Sequence, residues 1–203
     1  MLDLDPQIPI ISEETAETPY EERKHWEWCW LVDPLDGTKE FIRKNGEFTV
    51  NIALIHNGEP VAGVVHLPAK ETFYAAKAGS WAFHVDAHNK KETLRVAKPN
   101  KKLILAGSRS HGSEAFEAYV ARKKEEFEEV EMVPAGSALK FGLVASGQAH
   151  EYPRLGPTME WDTAAGDAVV RGAGGKVLQF DNGQELLYNK ESLLNPSFIA
   201  VGG

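Results

Sequence analysis

Apolar residues recur at every second position along several runs of this chain, which is the period of strands with one buried face. Trp26, Trp28, Trp30 and Val32 share one such face, and Cys29 falls on the other as a small core residue. Asp33-Pro34 ends that run. Phe48 to His56, Pro60 to Leu67 and Thr72 to Ala76 carry further strand patterns, with Asn57-Gly58 as a tight hairpin turn between the first two. These runs predict an antiparallel meander. Ile8, Ile10 and Ile11 form a short strand ahead of the loop Ser12-Glu13-Glu14, and Lys39 to Arg43 form a short helix after Gly37-Thr38.

The period changes beyond the polar segment Asp86 to Lys102. Leu103 to Ala106 reads as a buried strand and Ser113 to Phe127 as an amphipathic helix. Ser137 to Ser146 is a helix of small residues bearing Leu139, Phe141, Leu143 and Val144. Asp162 to Arg171 is an alanine-rich helix with Asp162 at its N-cap, closed by Gly172 and Gly174-Gly175. Strands follow at Lys176 to Gln179 and Phe198 to Val201. A strand-rich first half before an alternating second half predicts an α+β fold of stacked layers, in two lobes divided as 1–100 and 101–203.

Composition narrows the function classes. The chain has 203 residues, 42% of them hydrophobic and 26% charged, which fits a folded domain with a sizeable core. Thirty acidic against 22 basic residues give a net charge of -8, so no nucleic-acid polymer is expected as a partner. The single cysteine, Cys29, excludes an intrachain disulfide and a multi-thiolate zinc site. No apolar run is long enough to form a transmembrane segment, and the residues from Met1 to Pro6 lack the features of a secretion signal. A cytoplasmic location is the resulting expectation.

The candidate chemistry centres on Asp33-Pro34-Leu35-Asp36-Gly37-Thr38. A strand delivers Asp33, and Asp36 follows at a tight turn, so two carboxylates and the Leu35 carbonyl converge as oxygen ligands suited to magnesium or manganese. Gly37 and Thr38 then expose backbone N–H groups able to cradle a phosphate oxygen. Standing alone, the string also fits a simple turn. Glu13-Glu14 upstream and Glu160-Trp161-Asp162-Thr163 downstream add the carboxylates that would complete one site.

Three blocks in this order, Ser12-Glu13-Glu14, Asp33 to Thr38, and Trp161-Asp162-Thr163-Ala164-Ala165-Gly166, resemble the magnesium-dependent, lithium-sensitive phosphatases of the inositol monophosphatase family. Lys39-Glu40-Phe41 and Gly46 to Asn51 are similar to its 3'(2'),5'-bisphosphate nucleotidase branch, which acts in sulfur assimilation. Ser108-Arg109-Ser110-His111, Gly136 to Phe141 and Tyr152 to Thr158 extend that likeness, which covers the chain from Ile8 onward. The resemblance implies a layered αβαβα sandwich and hydrolysis of the 3'-phosphate of 3'-phosphoadenosine 5'-phosphate. An inositol-phosphate phosphatase, or a catalytically impaired metal- and nucleotide-binding protein, is the alternative.

By the same resemblance, Glu13, Asp33, the Leu35 carbonyl, Asp36 and Asp162 are magnesium ligands for about two or three ions, with manganese as a substitute. Thr38 orients the attacking water, with Glu13 and Asp36 as catalytic partners, and the Gly37 and Thr38 amides hold the scissile phosphate. His111, Ser137, Lys140 and Arg154 contact the nucleotide and its second phosphate, and Asp162 also approaches the sugar. The first lobe thus binds metal, while the second supplies substrate-binding residues and the last metal ligand. Two points depart from the family pattern. The chain begins too late for the helical pair that precedes the Ser-Glu-Glu strand, and for the aspartate that partners the Thr38 equivalent. Asp167 stands where nucleotidases more often have histidine. Loss of the helical pair would leave apolar surface on the first sheet and favour self-association.

Overall fold

Alternating apolar residues in the first half of the chain build a seven-stranded sheet in the computed structural model, which describes residues 7–15, 18–108 and 113–202. Strand β1 (Ile10–Ser12) pairs in parallel with β2 (Trp28–Asp36), and the short helix α1 (Tyr20–Arg23) lies between them in sequence. After α2 (Thr38–Arg43), the strands β3 (Thr49–His56), β4 (Glu59–Leu67), β5 (Thr72–Lys77), β6 (Trp81–Val85) and β7 (Lys91–Thr93) continue from β2 as an antiparallel meander. Asn57 and Gly58 both take positive φ, 50° and 80°, as a tight two-residue hairpin requires.

Three sequence expectations change here. Strand β2 does not end at Asp33-Pro34 but runs on to Asp36, with its register against β3 slipping between Asp33 and Asp36. Pro34 has no N–H to give a ladder, and that irregular stretch asks none of it. The tryptophan face of β2 is the less buried one: Cys29, the expected small core residue, is buried with Leu31, whereas Trp28 is 38% exposed and Trp26 and Trp30 are half-buried. Strands β6 and β7 occupy the region around the polar segment, and β7 is exposed throughout, so no apolar alternation marks it.

The second half forms a five-stranded sheet. Its elements are β8 (Lys102–Gly107), α3 (Glu114–Glu126), β9 (Glu129–Pro134), α4 (Leu139–Ala145), β10 (Glu151–Arg154), α5 (Glu160–Gly172), β11 (Lys176–Gln179) and β12 (Phe198–Val201). The sheet order is β11-β12-β10-β8-β9, with β8 parallel to both β9 and β10. Strand β9 is a mostly exposed edge and β10 has four residues, so neither carries a legible strand pattern. Helix α5 begins at Glu160, which moves Asp162 from the expected N-cap into the first turn.

Helices α4 and α5 lie between the two sheets, and α3 covers the far face of the second. Although α5 comes from the second half, it packs on β3 and β4 of the first sheet, so one continuous core joins the two halves. Phe141 fills the centre of this layer, edge-on to Tyr152 at 5.1 Å and stacked on Phe198 at 5.8 Å. No helix among the described residues is long and apolar enough to cross a membrane.

The small residues of α5 allow it to approach the sheet closely. A Cβ on Gly63 of β4 would stand 2.7 Å from the Ala165 carbonyl oxygen and 2.9 Å from Ala168 Cβ. Backbone cannot yield there as a flexible side chain can. Gly63→Ala is therefore expected to destabilise the protein by about 2 kcal/mol through overpacking, read as a melting temperature lower by roughly 4–8 °C in thermal unfolding.

Candidate active site

The slip in β2 places the first acidic pair. Leu31 and Asp33 share the inward face, so Asp33 is delivered to the inner side of the first sheet and is buried. Its Oδ1 accepts the Leu35 N–H at 2.9 Å, which closes a small turn around Pro34. Asp36 follows, with Oδ2 accepting from Thr49 Oγ1 at 3.1 Å and Asn51 Nδ2 at 3.4 Å. Gly37, at φ 87°, turns the chain into α2, and Thr38 opens that helix on an exposed position.

A loop of the second half meets this turn from the opposite side. Ser137 Oγ donates to the Asp36 carbonyl at 3.0 Å, and the Ala138 N–H donates to Asp36 Oδ2 at 2.7 Å. Lys140 is buried, and its Nζ donates to the Ser137 carbonyl at 2.7 Å and the Ala135 carbonyl at 3.3 Å. An ammonium has three N–H groups, so one is left for a ligand. Burial pulls the Lys140 ammonium down to about 8, against the opposing pull of Asp36. Arg154 donates from Nη2 to the Pro157 carbonyl at 3.0 Å, and its buried Nε has no protein partner.

Asp36, Gly37, Ser137, Lys140, Arg154 and Asp162 line a single cleft of about 240 Å³ where the two halves of the chain meet. Asp33, Leu35 and Thr38 belong to the same turn. Glu13 sits on the exposed loop after β1, close enough for its charge to act on both Asp33 and Asp162. His111 lies outside the described residues.

The acids of the cleft raise one another's proton affinity. Burial, followed by the charges of Asp36, Asp162 and Glu13, pushes Asp33 up to about 8. Burial and the charges of Asp36 and Glu13 push Asp162 up to about 6, although its Oδ2 accepts the Met159 N–H at 2.8 Å. Asp36 is likewise raised by burial, with Lys140 and its hydrogen-bond donors pulling the other way.

This donor set fits hard divalent cations. Among the described residues no three His, Cys, Asp or Glu side chains are gathered closely enough to hold a metal ion by themselves. Asp33, Asp36 and Asp162 each turn one oxygen to a backbone N–H and keep the other, and they feel one another's charge across the cleft. The buried Asn51 Oδ1, beside Asp36, has no protein partner. Oxygen donors alone, in mutual repulsion, are what magnesium or manganese relieves and what zinc does not select.

The sequence profile of the inositol monophosphatase family matches residues 3–200. The chain belongs to this family. It is 48% identical over 197 residues to the 3'(2'),5'-bisphosphate nucleotidase CysQ of Salmonella typhimurium, covering 96% of this chain and 76% of that protein. It is 46% identical over 196 residues to the CysQ of Escherichia coli K12, with the same coverage. The crystal structure of CysQ from Bacteroides thetaiotaomicron superposes with a TM-score of 0.91 at 44% identity, over 99% of this chain and 79% of that one. Mycobacterium tuberculosis SuhB superposes at 0.70 with 26% identity, over 98% of this chain and 72% of that one. The family's layered α+β architecture is therefore the fold of this chain.

Within this family fold, several residues that shape the site escaped the sequence reading. Thr49 and Asn51 hold Asp36, and the signal was present: both are polar yet occupy the inward positions of β3, where each is fully buried. Glu160 is also fully buried and accepts from the Asn189 N–H at 2.5 Å and from Lys190 Nζ at 2.6 Å. Arg23 donates to the Thr18 carbonyl at 2.9 Å and to Asn189 Oδ1 at 2.8 Å. These links run from the segment after Glu13 to the start of α5. No local pattern announces contacts between residues so far apart in the chain. Asp167, the second departure, is buried with Arg171 Nε at 2.7 Å and the Tyr188 hydroxyl at 2.9 Å, a pairing that anchors α5 away from the cleft.

Carboxylates raised in the folded state bind protons that the unfolded chain, with ordinary values near 4, has released. Their contribution to stability is full below that value and is lost as pH rises through about 6 for Asp162 and about 8 for Asp33. Divalent cations compete with those protons. Magnesium is therefore expected to raise the melting temperature more at about pH 8 than at about pH 5, in thermal unfolding with and without the ion. Equal increments at both values would contradict the assignment.

Proposed function

We propose that the chain is a magnesium-dependent phosphomonoesterase that removes the 3'-phosphate of 3'-phosphoadenosine 5'-phosphate, giving AMP and phosphate. The observation that carries this reading is one cleft lined by the acids Asp36 and Asp162 together with the cations Lys140 and Arg154, with Asp33 close enough for the acids to act on its charge. Family membership and the CysQ relatives, named as bisphosphate nucleotidases, support the same substrate.

Glu13, Asp33, the Leu35 carbonyl, Asp36 and Asp162 would hold the cations. Cations in this position lower the pKa of water and neutralise charge on the phosphoryl group and the leaving oxygen. The Gly37 and Thr38 amides hold the scissile phosphate, and the Thr38 hydroxyl orients the water that attacks phosphorus in line as the bond to the 3'-oxygen breaks. Ser137, Lys140 and Arg154 hold the second phosphate, Arg154 through a planar fork that can bind two oxygens at once. His111, by position in the sequence, serves the same end of the nucleotide.

Phosphate release with magnesium should be fastest from the bisphosphorylated nucleotide when that substrate is compared with inositol 1-phosphate and inositol 1,4-bisphosphate. Preference for an inositol phosphate would reject the nucleotide reading. Nucleotide binding without release from any of them would mark a binding protein instead. Asp36→Asn removes one metal ligand and is expected to lower turnover by about a hundredfold or more while the chain still unfolds cooperatively. Near-normal turnover in that variant would exclude Asp36 from the metal set.

A further inference from the structure

The loop from Ala135 to Ala138 brings Ser137 and Lys140 to the cleft, and it is tied down along its whole length. Lys140 holds the carbonyls of residues 135 and 137, and Asp36 holds the Ser137 hydroxyl and the Ala138 N–H. Besides the Ala135 N–H, which donates to the Gly107 carbonyl at 3.0 Å, a further tie comes from a residue that neither the metal set nor the substrate set includes. Glu47 Oε2 accepts the Gly136 N–H at 2.9 Å, in a bond buried at both ends. We infer that Glu47 is a positioning residue, whose carboxylate fixes this loop against the first lobe so that Ser137 and Lys140 face the substrate.

The geometry around Glu47 supports that role. Glu47 is buried at 7% exposure, and its own N–H is fixed on Asn45 Oδ1 at 2.9 Å. It stands two residues ahead of Thr49, which holds Asp36, so a single stretch of chain controls both the acid and the loop facing it. Gly136 is wedged in place: a Cβ there would come within 2.6 Å of Glu40 Cγ and 3.2 Å of Glu47 Cβ. The next residue, Ser137, sits at φ 45°, a left-handed conformation that a non-glycine residue keeps only when its surroundings hold it there.

A buried N–H must find an acceptor, and a carboxylate makes the stronger bond. Without Glu47, Gly136 would lose its partner, and the simplest relief is for the loop to swing toward solvent about its Asp36 ties. That movement carries away the two carbonyls that aim Lys140. The Glu47 bond to Gly136 reaches this loop and not a proposed metal ligand, so its loss falls first on affinity for the group that Ser137 and Lys140 face. This inference rests on the reading of the cleft as a bisphosphorylated-nucleotide site.

Three substitutions separate the acceptor from its charge and reach. Glu47→Gln keeps a carbonyl acceptor at the same distance, Glu47→Asp keeps the charge but falls one methylene short, and Glu47→Ala removes both. Steady-state kinetics with magnesium are measured on 3'-phosphoadenosine 5'-phosphate and on p-nitrophenyl phosphate, which has no second phosphate. The Ala and Asp variants are expected to raise KM for the nucleotide about tenfold more than for p-nitrophenyl phosphate, with Gln within about twofold of the unsubstituted protein on both. If Ala proves unable to fold, the contrast between Gln and Asp decides. Equal losses on the two substrates, or a Gln variant as impaired as Asp, would overturn the role of Glu47. An unsubstituted protein that hydrolyses p-nitrophenyl phosphate but not the nucleotide would overturn the substrate reading, and the nucleotide-specific effect with it.

Discussion

Asp33, Asp36 and Asp162 are taken largely out of water and lie near enough to feel one another's charge, and much of the surrounding structure serves to hold them there. Removing a carboxylate from water is costly, and each further acid nearby adds repulsion. The fold offsets part of this cost with one backbone N–H for each acid: Leu35 for Asp33, Ala138 for Asp36 and Met159 for Asp162. Every one of these donors comes from an interruption of regular structure. The first is the slipped register of β2, the second a loop with Ser137 at positive φ, and the third the opening turn of α5. Regular helix and strand spend their N–H groups internally, so the acids can be held only where the pattern breaks.

Interruptions of this kind need a rigid frame. Helix α5 provides it, because its small residues pack closely on β3 and β4 while its first turn carries Asp162. The far side of that turn is pinned by buried Glu160, which holds the chain at Asn189 and Lys190, and Arg23 joins the same segment to Thr18 beyond the Glu13 loop. The ion pair of Glu160 with the partly exposed Lys190 adds little net stability, but removing Lys190 leaves a fully buried carboxylate without its counter-charge. Its consequence here is positional: the acids contributed from near the two ends of the chain are referred to one framework.

The architecture was legible in the sequence wherever burial followed a period. The β2 to β5 meander, the Asn57-Gly58 turn, α3, α5 and the strands β11 and β12 all come from alternation, helical spacing or turn chemistry. Strands β7, β9 and β10 did not show, because they are short or mostly exposed, and such strands need no apolar face. The half-buried tryptophan face of β2 has a related lesson: alternation reveals that a strand has two faces but not which one meets the core more fully. The acids of the site were legible as motifs. Thr49 and Asn51 carried a signal, as polar residues at inward positions of β3, whereas the role of Glu47 depends on which loop of the second half arrives opposite it, a fact of tertiary structure alone.

The charge pattern explains how a protein of net charge -8 can select a doubly phosphorylated substrate. Two like unit charges about 4 Å apart repel by roughly 4 kcal/mol at an effective dielectric constant near 20, so phosphate cannot settle beside the three aspartates unless divalent cations come with it. Lys140 needs no such help. It remains cationic below about 8, and its ammonium is already aimed by two carbonyls. On the proposed reading, metal at the aspartates and the fixed cations Lys140 and Arg154 would offer phosphate two kinds of partner within one cleft. A ligand with a single phosphate would satisfy one kind and leave the other to water, whereas two phosphates at the correct separation would satisfy both. Selectivity would then have one physical cause, a metal-dependent and a metal-independent partner for phosphate set in a single cleft.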